Sequence, residues 1–70
     1  MDNIYIKDEY IKLGQAIKLS GIAGSGSDAK MLIEDGEVSV NGEVCTMRGK
    51  KLHPGDIFSF MDKSFKVDVR

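Results

Sequence analysis

Apolar residues recur at helical spacing in the first part of the chain and favour a short helix there. The helix is expected over Leu13–Leu19, and Gly21 follows it as a stop signal. Its apolar face consists of Leu13, Ala16 and Ile17. Before this helix, the triplet Ile4-Tyr5-Ile6 is compatible with a short strand, which ends where Asp8 and Glu9 break the apolar run.

The stretch AKMLIEDG, which starts at Ala29, predicts a second short helix. Ala29, Leu32 and Ile33 share one helical face, and Gly36 stands just beyond them. Ser25 precedes Asp28 by three residues, the spacing at which a serine caps a helix. Two short helices joined by the small residues GSGS make a helix-turn-helix-like hairpin.

After Gly36 the apolar period changes to two, which is typical of strands. Val38 and Val40 alternate with polar residues, and Asn41-Gly42 is a strong signal for a two-residue hairpin turn. Such a tight turn places Val40 opposite Glu43. The sequence therefore leaves two alternatives open: a hairpin with a polar residue on its core side, or a loop longer than two residues.

The last third of the chain predicts two more strands, Ile57–Phe60 and Phe65–Val69, with Asp62-Lys63 at the hairpin tip. His53-Pro54-Gly55-Asp56 is expected to form a turn, and Leu52 to anchor the exposed connector RGKK before it. Phe65, Val67 and Val69 are expected to face the core. The predicted fold class is α+β, with two short N-terminal helices packed on a small, mainly antiparallel sheet.

The length of 70 residues predicts one domain, residues 1–70, whose small core leaves little room for an enclosed active site. No apolar run approaches the ~18 residues that span a bilayer. The N-terminus is acidic and lacks the apolar segment of a secretion signal. A single cysteine, Cys45, excludes an intrachain disulfide and fits a cytoplasmic protein.

Candidate catalytic residues are few. The chain has one histidine, His53, in a predicted turn, and one cysteine, Cys45, on a predicted strand, with no sign that they meet. No Cys/His cluster has the spacing of a zinc site. Gly21 and Gly26 have the G-x-x-x-x-G spacing, but Ser27 and Asp28 stand where a phosphate-binding loop needs Lys and Ser or Thr. We therefore expect no enzyme activity, no cofactor, no metal and no small-molecule substrate.

The net charge of −1 argues against a generally basic nucleic-acid-binding protein, but the ten Lys and Arg residues are unevenly placed. The run RGKK contributes three cations, and no acid lies between Glu43 and Asp56. Acids gather instead at Asp8-Glu9 and at 34–37. The chain is therefore expected to be electrically two-sided. The alternative is that these cations belong to a solvated turn and that Lys30 pairs with Glu34 on its helix.

The order of these features resembles the S-four RNA-binding domain, whose fold is called the alpha-L motif. The resemblance covers residues 11 to about 60, from IKLG to FSF. It is carried by Ser-x-Ser-x-Ala-Lys at 25–30, by Gly36-x-Val38-x-Val40-Asn41-Gly42, and by Gly55-Asp56. The RGKKL run and the length are most similar to the small stand-alone bacterial YaaA-like and YbcJ-like members.

The resemblance implies a non-catalytic protein that recognises structured RNA, ribosomal or transfer, by shape and phosphate contacts. Its partners would be that RNA and the ribosome or an assembly intermediate, with no membrane. The RNA-binding residues that it implies are Lys12, Ser25, Ser27, Lys30, Arg48, Lys50 and Lys51. Gly26 departs from the family pattern, because many relatives have Arg there.

Two other functions remain as alternatives. The first is a protein-interaction module of a ribosome-associated factor, for which the acidic clusters would serve. The second is a β-grasp carrier-like protein, which lacks its usual Gly-Gly tail here because the chain ends FKVDVR.

Overall fold

A computed structural model describes residues 1–70 and contains two helices and seven strands. In chain order the elements are β1 (Asp2–Ile6), β2 (Ile11–Lys12), α1 (Leu13–Leu19), α2 (Gly26–Glu34), β3 (Val38–Val40), β4 (Glu43–Val44), β5 (Lys51–Leu52), β6 (Ile57–Phe60) and β7 (Lys63–Val69). The predicted α+β class, with two helices and a mainly antiparallel sheet, is confirmed. The helices are not the first elements, however, because β1 and β2 precede them.

The main sheet has the strand order β1-β7-β6-β3-β4, and a second sheet consists of β2 and β5 alone. All pairs are antiparallel except β1 and β7, which run parallel with Ile4 opposite Val67. Ile4 and Ile6 point into the core and are nearly inaccessible, at 5% and 7% exposure. The triplet Ile4-Tyr5-Ile6 therefore alternates between core and solvent, as a strand on the surface of a core does. As part of β1 it pairs with the edge of β7 that β6 does not occupy.

One apolar core joins the helices to both sheets. Fourteen hydrophobic residues are buried together, and no polar or charged residue is buried with them. The predicted face of α1 is confirmed, because Leu13, Ala16 and Ile17 are fully buried. On α2, Ala29 and Ile33 are buried as predicted, whereas Leu32 is only partly buried against the core. Phe58 and Phe65 stack across the sheet with ring centroids 5.4 Å apart. Burial of side chains of this size stabilises the fold by about 1.5–3 kcal/mol each.

The hairpin between β3 and β4 has the tight, two-residue turn. Asn41 (φ 50°) and Gly42 (φ 88°) both adopt the left-handed conformation that this turn requires. Val40 is indeed opposite Glu43, and Val40 is buried while Glu43 is exposed. The pairing is tolerated because β4 is a two-residue edge strand with no core packed against it.

Two details of the last hairpin differ from the prediction. Its tip is Met61-Asp62, and Lys63 lies in β7 opposite Phe60. Val69 is 58% exposed rather than buried, since it lies at the end of β7, beyond the layer that Phe65 and Val67 fill. The positive φ of Met61 (55°) lets the chain reverse within two residues.

Hydrogen bonds between Asn41 and Asp56 tie the first hairpin to the turn before β6. The Asn41 side-chain amide donates to the Asp56 carboxylate (3.1 Å), while its carbonyl accepts from the Ile57 amide (2.9 Å). Asp56 also accepts the His53 backbone N–H at 2.7 Å. That last hydrogen bond is the main reason why the pKa of Asp56 lies below its ordinary value.

We expect Asp56→Ala to lower the free energy of unfolding by about 1–2 kcal/mol at neutral pH, because a charged acceptor of two hydrogen bonds is lost. The folded-state pKa is lowered, so this stabilisation is present above the ordinary carboxyl pKa and is lost as the pH falls through the lowered value. Urea unfolding of both proteins at neutral and acidic pH measures the difference. Asp62→Ala, in an exposed turn, is the control and should change stability by less than about 0.5 kcal/mol. If the difference in unfolding free energy between the wild-type protein and Asp56→Ala does not become smaller in acid, the stabilising role of the ionised Asp56 carboxylate is contradicted.

Candidate nucleic-acid interface

The loop that carries Arg48 is held against the beginning of α1 by two backbone hydrogen bonds. Leu13 N–H donates to the Lys50 carbonyl (2.8 Å), and Gly14 N–H donates to the Arg48 carbonyl (2.9 Å). Lys12 occupies the N-cap position of α1 but offers no side-chain cap. The first amides of a helix have no partner within the helix, so the loop's carbonyls replace a capping side chain. The loop is therefore fixed in place by its backbone.

Next to this contact lies an open cleft of about 330 Å³ that no hydrophobic residue lines. Four cations from four parts of the chain converge on it. Its lining consists of Lys12, Gly14, Gln15, Lys18, Gly26, Lys30, Arg48 and Gly49. We call it the basic cleft. No carboxylate belongs to it.

The cations of the basic cleft have no acidic partners. No Lys or Arg nitrogen of the chain lies within 4.0 Å of a carboxylate oxygen. The only ion pair within that distance is formed by His53 Nδ1 and the Asp56 carboxylate, at 3.9 Å. In particular, the expected alternative of a Lys30–Glu34 pair does not form. The positive potential of the cleft is therefore screened only by solvent and salt, and it favours a polyanion although the whole chain is slightly acidic.

The start of α2 faces the basic cleft through Gly26, and Ser25 caps this helix. The Ser25 hydroxyl accepts the Asp28 backbone N–H at 3.2 Å, which confirms the predicted cap. Ser27 is exposed and lies outside the lining of the cleft. Of the seven predicted site residues, the structure brings together Lys12, Lys30 and Arg48 in the cleft and gives Ser25 a structural role beside it.

The remaining two predicted residues, Lys50 and Lys51, do not line the cleft. Lys50 lines a separate groove with Val44, Cys45 and Met47. Lys51 lies on β5, with its Nζ 4.9 Å from the centre of the Tyr10 ring. The four residues of RGKK are therefore not a uniform basic loop, because successive side chains leave the backbone in different directions.

Lys18 is the cleft residue that the sequence analysis missed. It lies on α1 four residues after Gly14 and three after Gln15, so helical geometry puts all three on one face. That signal was present in the sequence. The shared helical face points to the cleft only when the position of the Arg48 loop is known. That loop packs against Gly14, since a Cβ on Gly14 would lie 3.6 Å from the Arg48 Cβ.

Groups that could support other chemistry are dispersed. His53 lies beyond β5, whereas Cys45 lines the groove beside Lys50. No group of three or more His, Cys, Asp and Glu side chains is arranged to hold a metal ion. Neither helix has the length and apolar character of a membrane span.

Comparison with known protein families identifies an S4 domain. The model of the S4 domain matches residues 4–68, a longer stretch than the 11–60 over which the sequence motifs were recognised. It begins within β1 and ends within β7, so it includes the parallel pair that joins the two ends of the chain.

Curated relatives and a solved structure agree with this match. The chain is 44% identical over 54 residues to the probable ribosome maturation protein RlbA of Bacillus subtilis (strain 168), covering 77% of this chain and 76% of the relative. It is 36% identical over 61 residues to the putative RNA-binding protein YbcJ of Escherichia coli (strain K12), covering 87% of each. The solution structure of YbcJ, described as having an alfaL motif involved in RNA-binding, superposes with a TM-score of 0.74 at 33% identity, covering 97% of this chain and 87% of that one.

Ser25 caps α2 and Ser27 lies exposed on the same helix, so alanine substitutions at the two positions test whether Ser25 stabilises the helix as its cap. Ser25→Ala should lower the free energy of unfolding by about 1 kcal/mol, because the Asp28 amide loses its acceptor. Ser27→Ala, two residues away, should change it by no more than about 0.5 kcal/mol. Thermal or urea unfolding of the two variants is the measurement. Equal losses in the two would show that Ser25 does not act through the cap.

Proposed function

The chain belongs to the S4 domain family, and on that basis we propose that it is a non-catalytic protein that binds structured RNA in the basic cleft. The observation that carries the proposal is the convergence of Lys12, Lys18, Lys30 and Arg48 on one open surface with no carboxylate among them. A chain of net charge −1 thus places four of its ten Lys and Arg side chains around one cleft. The relative YbcJ, named as a putative RNA-binding protein, supports the same function.

The shape of the cleft favours contacts to the phosphate backbone over reading of base edges. Lysine and arginine side chains in an open, solvent-filled groove neutralise phosphates and release counterions, which supplies affinity without sequence specificity. Side chains cannot easily enter the deep major groove of double-stranded RNA, so such RNA is recognised mainly by shape and phosphates. Four cations on a rigid surface suit a folded RNA whose phosphates are already arranged.

The individual residues would have unequal roles. Lys30, Arg48 and Lys12 would bind phosphates in the cleft together with Lys18. Lys51 would extend this surface along β5. Ser25 and Ser27 would act mainly through the position of α2, and Lys50, in its separate groove, would contribute least.

We further propose that the RNA is ribosomal and that the protein acts in the cytoplasm on the ribosome or an assembly intermediate. The similarity to a probable ribosome maturation protein supports this choice over transfer RNA. No specific observation favours a protein-interaction module or a β-grasp carrier. The dispersal of His53 and Cys45 supports a binding role rather than a catalytic one.

Removal of one cleft cation should weaken binding in a salt-dependent way. For Lys30→Ala and for Arg48→Ala, we expect the slope of log affinity against log salt to become shallower by roughly 0.7–0.9, the loss of one phosphate contact. Binding of a ribosomal RNA hairpin across a salt series measures the slope. Lys63→Ala, which removes an exposed cation on β7, is the matched control and should leave it unchanged. A loss in the control equal to that in the cleft variants would mean that net charge, and not the cleft, controls binding.

The opposite change should strengthen binding. Gly26 lines the basic cleft, and a Cβ there would meet no atom within 4 Å, so Gly26→Arg adds a fifth cation without steric cost. We expect severalfold higher affinity and a slope steeper by roughly 0.7–0.9. Gly24→Arg makes the same change where a side chain is equally unobstructed but outside the cleft, and it should have little effect. If both variants gain equally, the cleft is not the site.

A further inference from the structure

The outward face of the two-stranded sheet carries a cluster of two lysines, a tyrosine and a histidine. Ile11 pairs with Leu52, which is fully buried, and Lys12 pairs with Lys51. Successive residues of a strand point to opposite faces, so Lys12 and Lys51 point outward. The same register continues to Tyr10 and His53, which stand opposite each other just beyond the ladder.

Contacts between these side chains confirm that they form one group. The ring centroids of Tyr10 and His53 lie 6.1 Å apart, and the two ring planes are inclined at 50°. Lys51 Nζ lies 4.9 Å from the centre of the Tyr10 ring. Both aromatic groups are accessible: Tyr10 is 37% exposed and the His53 side chain 60%. Phe58 and Phe65, in contrast, are buried in the core. Tyr10 and His53 are therefore exposed aromatic side chains that contact each other on the surface and are not part of the hydrophobic core.

Lys12 and Lys51 directly face each other, and like charges at paired positions destabilise a sheet. No carboxylate lies within 4.0 Å of either Nζ. The nearby Asp56 is already hydrogen-bonded to the His53 amide and to Asn41. An anion bound across this pair would offset the repulsion, and a phosphate fits that requirement.

Lys12 also lines the basic cleft, so this residue joins the cleft to the outward face of the β2–β5 pair. An RNA strand whose phosphates follow the cleft would arrive at Lys51 with its next base beside Tyr10 and His53. Bases stack on aromatic side chains without requiring a particular sequence, but a base inside a duplex has no free face. The bound nucleotide must therefore be unpaired.

We propose that Tyr10 and His53 form a stacking site for one unpaired base, adjacent to phosphates held by the basic cleft. The proposal rests on the proposed function and adds to it a preference for RNA in which a duplex meets a bulged or terminal unpaired nucleotide. Lys51 Nζ lies over one face of the Tyr10 ring, so the base would stack on the opposite face, and Lys51 would contact the phosphate of the same nucleotide.

The test uses two RNA hairpins of equal length, one with a single-nucleotide bulge that carries 2-aminopurine and one fully paired. The intact protein should bind the bulged hairpin more tightly and quench the fluorescence of its 2-aminopurine. Tyr10→Ala should reduce affinity for the bulged hairpin roughly 5- to 100-fold, as expected for loss of one stacked base, and leave the paired hairpin unaffected. Tyr10→Phe should retain binding and quenching, because the ring is kept.

Tyr5→Ala is the matched control, since Tyr5 is an exposed tyrosine on β1, away from this face. His53→Ala provides a second route to the same readout if Tyr10→Ala fails to fold. Equal binding of the two hairpins by the intact protein, with no quenching and no effect of Tyr10→Ala or His53→Ala, would overturn the stacking site while leaving the proposed function standing. Failure of the intact protein to bind either hairpin at low salt would overturn both.

Discussion

The backbone contact between the 48–50 loop and the start of α1 determines where the cations stand. The helix begins at Leu13 without a serine, threonine, aspartate or asparagine to accept its first amides. Two loop carbonyls accept them instead, at 2.8 and 2.9 Å. Because backbone atoms make this contact, the loop side chains remain free. Arg48 can therefore point into the cleft beside Lys12 and Lys18, although all three belong to different segments.

This arrangement explains how an acidic chain can present a basic surface. The fold distributes its acids over other parts, for instance Asp28 and Asp35, which lie beside Met31 in a groove away from the cleft. The cations of the cleft come from positions up to 36 residues apart, Lys12 to Arg48, so no single charge run contains more than one of them. Net charge describes solubility and long-range attraction, whereas a site depends on which charges the fold brings together.

The sequence predicted those features that depend on neighbouring residues. The bounds of α1, the Ser25 cap and the Asn41-Gly42 turn are local, and each follows from helical period, capping chemistry or tolerance of positive φ. Long-range pairings were not accessible in this way. The parallel pairing of β1 with β7 joins residues about sixty positions apart, and nothing in Ile4 or Val67 alone specifies the partner. The pairing of β2 with β5 involves only two residues on each strand, which is too short for an alternating pattern of apolar residues to predict it.

The same division separates the motif residues from the candidate site. Asn41, Gly55 and Asp56 carried much of the family resemblance, yet in the structure Asn41 and Asp56 hydrogen-bond to each other and hold two turns together. Lys18 and Tyr10 belonged to no motif, and they lie on the cleft and beside it. A scaffold that needs a particular turn geometry leaves a recognisable pattern, because few residues satisfy that geometry. A phosphate-binding surface leaves a weaker one, because any cation that reaches it from any element serves equally well.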